Sequence, residues 1–213
     1  MGHNSRLVIM FRDPTKEPSA ANTDQQPISE YHDKFVGAGY VPVSFPVIEP
    51  HSTLTPQWLL AEIFPRTSNF TGLIFTSSNA VKALSGAYQA ALASPLGFID
   101  LLPSPTATAV EMVESVLQPQ WQRLLSLPIF VVGKATATAC HNLLGPTAPA
   151  PLVIHGQDSG SAVNLLKIIT NSLTASPQST HLLFLSGDRR RSTLPDGLSE
   201  RGIQFSEVTV YET

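Results

Sequence analysis

A chain of 213 residues has room for one or two domains with a real core. Its 42% apolar and 14% charged residues describe an ordinary globular protein sparse in charge, and a net charge of −3 excludes the global basic field of a nucleic-acid binder. The single cysteine, Cys140, excludes an internal disulfide and a cysteine-rich metal site, and it fits a reducing compartment.

The opening MGHNSRLVIMF lacks a long apolar h-region and a small-residue cleavage site, so no secretory signal is expected and the chain is placed in the cytoplasm. Leu7 to Phe11 is a short apolar run, as in a buried strand. The polar stretch DPTKEPSAANTDQQP that follows, with three prolines, reads as a loop. Ile28 to Ala38 carries Ile28, Tyr31, Phe35 and Ala38 at helical spacing, with Gly39 as a stop. Val41 to Ile48 alternates like a strand, but Pro42 and Pro46 restrict it to a sheet edge or an isolated ribbon, a candidate connector between domains.

A strand-then-helix rhythm follows. Gly72 to Phe75 is a buried strand, and the turn Thr76-Ser77-Ser78-Asn79 caps a helix over Ala80 to Ala93. The greasy stretch Ala87 to Leu102 is interrupted by Ser94, Pro95, Gly97 and Asp100, so no bilayer span is predicted. Ser94 to Leu127 is irregular, with helix expected only over Ala109 to Leu117. Ile129 to Val132 is the next strand, then Gly133-Lys134 and a helix through Thr136 to Leu144. Leu152 to Ile154, the turn GQDSGS and a helix over Ala162 to Asn171 make a third unit. Leu182 to Leu185, the turn Ser186-Gly187-Asp188 and a helix ending near Gly202 make a fourth. Gln204 to Val210 alternates as a last strand. Short apolar strands alternating with amphipathic helices predict parallel βαβ units and an α/β layered sheet.

In such sheets ligands bind outside the carboxyl ends of the strands, where the first amides of each following helix lack partners and the helix dipole is positive. Four turns of this chain fall there: TSSNA, GKATA, GQDSGS and SGDRRR. Their hydroxyls, glycines and basic residues suit an anion. The same residue types also cap helices in any α/β protein, so capping alone accounts for each turn taken singly. Arg189, Arg190 and Arg191 run against the dipole preference for acids. One reading is a solvated face with an arginine paired to Asp188 or Asp196; the other is a guanidinium supporting a bound carboxylate or phosphate, with Lys82 and Lys134 adding to the field.

Other constellations are weak. GxxxxGK[ST], GxGxxG and GxSxG are absent. The six histidines are scattered, and Cys140 and His141 diverge on a helix, so no metal ligand set is expected. Tyr211, in SEVTVYET, is either strand packing or a proton donor at a domain crossing.

GLIFTSSNAV (Gly72 to Val81), VVGKATATA (Val131 to Ala139), LFLSGDRRRSTLPDGLSERG (Leu183 to Gly202) and VTVYET (Val208 to Thr213) together resemble, in order and spacing, the uroporphyrinogen-III synthase family. With FPVIEP, they cover most of Val41 to Thr213. The resemblance implies two flavodoxin-like α/β domains joined by a two-stranded linker, with the active site in the cleft between them. Residues 1–45 would begin an incomplete first domain, 46–206 would be the flavodoxin-like second domain, and 207–213 a linker strand returning towards the first. The ladder would pair strands near Val43–Ile48 and Glu207–Tyr211. The N-terminal strand would then lack sheet neighbours, as in a truncated form or a chain whose partner supplies the missing layer.

The implied substrate is hydroxymethylbilane, a linear tetrapyrrole with acetate and propionate arms, cyclised with loss of water and inversion of the last ring. No metal, organic cofactor, nucleic acid or membrane is implied, and a monomer is expected. Thr76, Ser77, Ser78, Asn79, Lys134, Thr136, Gly187, Asp188 and Arg189 would hold the carboxylates. Tyr211 matches the family's tyrosine that assists loss of the hydroxyl. The alternative is a non-catalytic, synthase-like domain that binds polyanionic tetrapyrroles; an unrelated α/β anion-binding or regulatory domain is a third.

Overall fold

The computed structural model describes residues 6–11, 30–45, 50–94, 113–173 and 180–213. The loop expected over residues 13–27, the start of the first helix at Ile28, residues 46–49 of the connector and residues 95–112 of the irregular stretch lie outside these. The chain divides into two units, Met1–Pro50 and His51–Thr213.

In the first unit, β1 (Arg6–Phe11) and β2 (Tyr40–Phe45) pair in parallel, from Arg6 opposite Tyr40 to Phe11 opposite Phe45. Between them in sequence lies α1 (Glu30–Gly37), the crossover that a parallel pair requires. Pro42 sits opposite Val8; in a sheet of two strands both are edges, so the missing amide costs no interior ladder bond. Leu7, Ile9 and Val41 are 61%, 50% and 48% exposed, unusual for parallel strands, whose faces are normally both covered.

The second unit is built on a six-stranded sheet. Its parallel strands are β4 (Gly72–Phe75), β5 (Ile129–Val131), β6 (Ile154–His155), β7 (His181–Gly187) and β8 (Gln204–Glu212). A two-residue strand, β3 (His51–Ser52), adds antiparallel to the end of β8. The order is β3-β8-β7-β4-β5-β6. Counting parallel strands only, that is 3-2-1-4-5, with the switch point between β4 and β7; flavodoxin itself runs 2-1-3-4-5, and both orders obey the same rule for ligand placement.

Alternation along the central strands decides the layers. Leu73, Phe75, Ile129, Val131, Leu183 and Leu185 point into one core, against α3 (Ser78–Ala93), α4 (Gln118–Leu125) and α5 (Lys134–Leu143). Ile74, Phe130, Leu182 and Phe184 point the other way, against α6 (Ala162–Ser172) and α7 (Thr193–Glu200). Every one of these strand side chains is fully or almost fully buried. At about 1.5–3 kcal/mol for each large apolar side chain, this double burial is the main stabilising term of the unit.

Two helical segments carry weak sequence signals. Thr55 accepts a hydrogen bond from the Trp58 amide at 3.1 Å, with Pro56 at the first helical position, and so starts α2 (Pro56–Trp58). It continues as a π turn over Leu59–Ile63 and a 3-10 stretch over Phe64–Asn69. Val113–Leu117 is helical, within the range expected, but it leads directly into α4, where an irregular excursion was expected. There the Trp121 ring stacks on Tyr88 at 4.0 Å, and its indole donates to Thr147 Oγ1 at 2.9 Å.

Gly156, just after β6, has φ +89°, and a Cβ there would lie 2.4 Å from the Val131 carbonyl oxygen. Gly156→Ala is therefore expected to cost about 1–3 kcal/mol, seen as a lower urea midpoint with an unchanged slope. A midpoint equal to the parent's would show that the turn shifts away without cost.

Candidate functional site

Because β4, β5, β6, β7 and β8 run in parallel, the turns that follow the first four share one rim of the sheet with the end of the last. A cleft of about 340 Å³ opens there, around the switch point. Its apolar lining is Val132, Ala162, Phe184 and Leu194. Thr76 and Ser77 border it from the turn after β4, and Tyr211 and Thr213 from the end of β8. Gly187, Asp188 and the three arginines 189–191 complete it.

The rim helices begin in two different ways. Ser77 accepts from the Asn79 amide at 3.1 Å and Ser161 from the Asn164 amide at 3.2 Å, so α3 and α6 are capped by their own serines. Gly133, at φ +84°, and Ser192 precede α5 and α7 without a side-chain cap. The positive ends of these two helices keep more of their hydrogen-bonding capacity for other partners.

Tyr211 is placed by an irregularity in β8. Ser186 pairs with Thr209 and Gly187 with Tyr211, so Val210 is an extra residue, and the β7–β8 register shifts at this point. The Val210 carbonyl accepts from the amides of Thr53 and Leu54, at 3.0 and 3.4 Å, while Thr53 Oγ1 donates to the Thr209 carbonyl at 3.1 Å. The shift sets the phenol ring directly over Gly187. A Cβ at Gly187 would come within 2.4 Å of the ring. The Tyr211 hydroxyl has no hydrogen-bond partner among the described residues.

The remaining residues proposed from sequence divide. Thr76, Ser77, Gly187, Asp188 and Arg189 meet at the cleft with Tyr211. Ser78 and Asn79 lie in the first turn of α3, outside its lining. Thr136 is buried and donates to the carbonyl of Val132 at 3.2 Å. Lys134 is exposed and lies 3.6 Å from Asp158, on a different part of the rim; such an exposed pair contributes little. Asp188 accepts from the Thr213 amide at 3.1 Å and hydroxyl at 3.3 Å, tying the end of β8 to the turn after β7.

The arginines separate too. Arg189 lies 3.7 Å from Asp188, as one sequence reading expected. Arg190 instead forms a two-pronged ion pair with Glu207 on β8, a hydrogen bond that holds the guanidinium further above its ordinary value. Arg191 is exposed, with no ion pair among the described residues. Neither Glu207 nor the apolar lining had a sequence signal for this site. The contacts of Glu207 are set by strand register, and Phe184 reads as ordinary core.

Cys140 is fully buried, and burial pushes its thiol up to about 12, so it takes no part in the cleft. Among the described residues there is no cluster of histidine, cysteine, aspartate or glutamate suited to a metal, and no helix is long and apolar enough to cross a membrane.

The second unit is thus a parallel, doubly wound α/β domain with an apolar-lined cleft at its switch point, bordered by hydroxyls and guanidiniums. The model described as "Uroporphyrinogen-III synthase HemD" matches residues 29–213, so the chain belongs to the uroporphyrinogen-III synthase family. It is 26% identical to the uroporphyrinogen-III synthase of Saccharomyces cerevisiae over 197 residues, which is 88% of this chain and 59% of that protein. Among solved structures, it resembles a mutant uroporphyrinogen III synthase of the extremely thermophilic bacterium Thermus thermophilus. That match has 14% identity and a TM-score of 0.49, and covers 98% of this chain and 62% of the other. The enzyme of Helicobacter pylori matches at 18% identity with a TM-score of 0.35, covering 82% and 56%. The chain thus spans less than two thirds of the length of each of these relatives.

Two measurements check this geometry. Gly187→Ala should push the Tyr211 ring aside, shifting its NMR resonances while β7–β8 cross-strand contacts persist. Unmoved Tyr211 resonances would mean the ring does not rest on Gly187 in solution. Cys140 should react with a thiol reagent no faster than the native protein opens. Rapid labelling of folded protein would contradict its burial.

Proposed function

We propose that this chain acts in the synthesis of uroporphyrinogen III from hydroxymethylbilane, in the cytoplasm, with the cleft of the second unit receiving part of that substrate. The observation that carries this reading is the chemistry of the cleft in a member of this family. Val132, Ala162, Phe184 and Leu194 line an apolar recess, bordered by the hydroxyls of Thr76, Ser77 and Tyr211 and the guanidiniums of Arg189 and Arg191. A pyrrole ring with acidic arms has the same division: an apolar plane with carboxylates at its edge.

The chemistry asks little of the protein beyond order. A pyrrole is electron rich and expels its hydroxymethyl oxygen as water once that oxygen is protonated. Tyr211, with a free hydroxyl on the cleft wall, is the proton donor we assign. The remaining requirement is to hold a flexible chain so that the last ring is attacked at its substituted carbon, passing through a spiro intermediate that inverts the ring. That is an orientation effect, supplied by carboxylates held at fixed points of the rim by Thr76, Ser77, the amides around Gly187 and Asp188, and the guanidinium of Arg189. Ser78, Asn79, Lys134 and Thr136 contribute by shaping the helix starts.

The test supplies freshly generated hydroxymethylbilane to the purified chain, oxidises the product and separates the porphyrin isomers. A type III fraction above the uncatalysed control is expected; the type I isomer alone would leave a binding domain without this activity. Tyr211→Phe should lower kcat by about tenfold or more with an unchanged melting temperature. An unaltered kcat would remove the phenol from the reaction.

A further inference from the structure

The run Arg189-Arg190-Arg191 offers three equivalent cations in sequence, and the structure treats them differently. Side-chain exposure is 73% for Arg189 but 32% for Arg190. Arg190 directs Nε and Nη2 to the two oxygens of Glu207, the fork geometry that arginine forms best. The Glu207 side chain is 20% exposed and also accepts from Ser186 Oγ at 2.9 Å, so the carboxylate joins three donors. Ser186 is in β7, Glu207 in β8 and Arg190 in the turn after β7. The cluster therefore ties the middle of the arginine turn to two strands of the sheet.

We propose that Glu207 is a positioning residue for the cleft. By engaging Arg190 it fixes the turn 188–192, so that Arg189 and Arg191 are the guanidiniums offered to an anionic ligand. This inference rests on the functional reading above for the ligand, and on the ion pair alone for the turn. The physical reason is twofold. A sparsely hydrogen-bonded turn carrying three adjacent positive charges repels itself, and one internal carboxylate both relieves that repulsion and selects one arrangement. Arg190 in turn neutralises a carboxylate that would otherwise stand beside a site for acids.

The experiment compares the full chain with Glu207→Gln, which keeps the size and the acceptor for Ser186 but removes the charge. Amide hydrogen exchange of residues 188–192 should quicken in the variant, with α3 and β4 unchanged. KM for hydroxymethylbilane should rise about fivefold, with kcat within about twofold of the parent. Arg189→Ala and Arg191→Ala should each flatten the dependence of KM on salt, because these are the guanidiniums that meet the ligand. Exchange at 188–192 equal to the parent's would overturn the proposal. So would a salt dependence of KM that neither Arg189→Ala nor Arg191→Ala flattens, since those guanidiniums would then not meet the ligand. Should Glu207→Gln fail to fold, Arg190→Lys, which keeps the charge and loses the fork, takes its place with the same expectations. If the parent makes no type III isomer, the functional reading falls, while the exchange comparison still decides whether Glu207 holds the turn.

Discussion

The constraint behind this structure is that a parallel strand must bury both of its faces. β4, β5 and β7 carry apolar side chains on both faces, and each crossover helix covers one of those faces. Parallel direction then delivers every strand-to-helix turn to the same rim. The cleft is a consequence of this arrangement at the switch point, where the helices after β4 and β7 depart to opposite faces and leave a gap between them. Its apolar lining is the last layer of the core, with Phe184 and Leu194 buried and Val132 and Ala162 half-buried.

What the sequence discloses follows from how local each signal is. Gly72 to Phe75 is a strand over the expected span, because four apolar residues between a glycine-marked entry and a polar turn admit little else at that length. Helices α5 and α6 begin and end near the residues read from sequence; α7 ends near its expected stop but begins only at Thr193, so the three arginines lie in the turn before it and not in its first turn. The helical stretch from Pro56 to Asn69 went unread, because its π and 3-10 turns break the 3.6-residue period by which a helix is recognised. α4 was concealed differently. Gln118 and Pro119 look like a break, yet the chain runs through them from the π turn Val113–Leu117 straight into α4.

At the cleft, the turns were legible and the side-chain partners were not. Which strands lie side by side can be guessed from a βαβ rhythm, so Thr76, Ser77, Gly187, Asp188 and Arg189 could be assigned to one rim before their positions were known. Pairings across strands depend on register, and register here includes the extra residue Val210. Without that residue, Gly187 would face Val210 in place of Tyr211, and the phenol would fall elsewhere on the strand. A shift of one residue in β8 is invisible to periodicity, because SEVTVYET alternates acceptably in either frame.

The arginine turn shows why composition alone is a poor guide to a charged site. Three adjacent guanidiniums suggest a strong field for anions, but one of them is already satisfied by Glu207, and a second leans towards Asp188. The field offered to a ligand is smaller than the sequence count, and better defined. A flexible ligand with several charged groups is oriented only where its anchor points keep fixed separations. Three free arginines would bind acids in many poses. Fixing the central one trades some attraction for a single geometry.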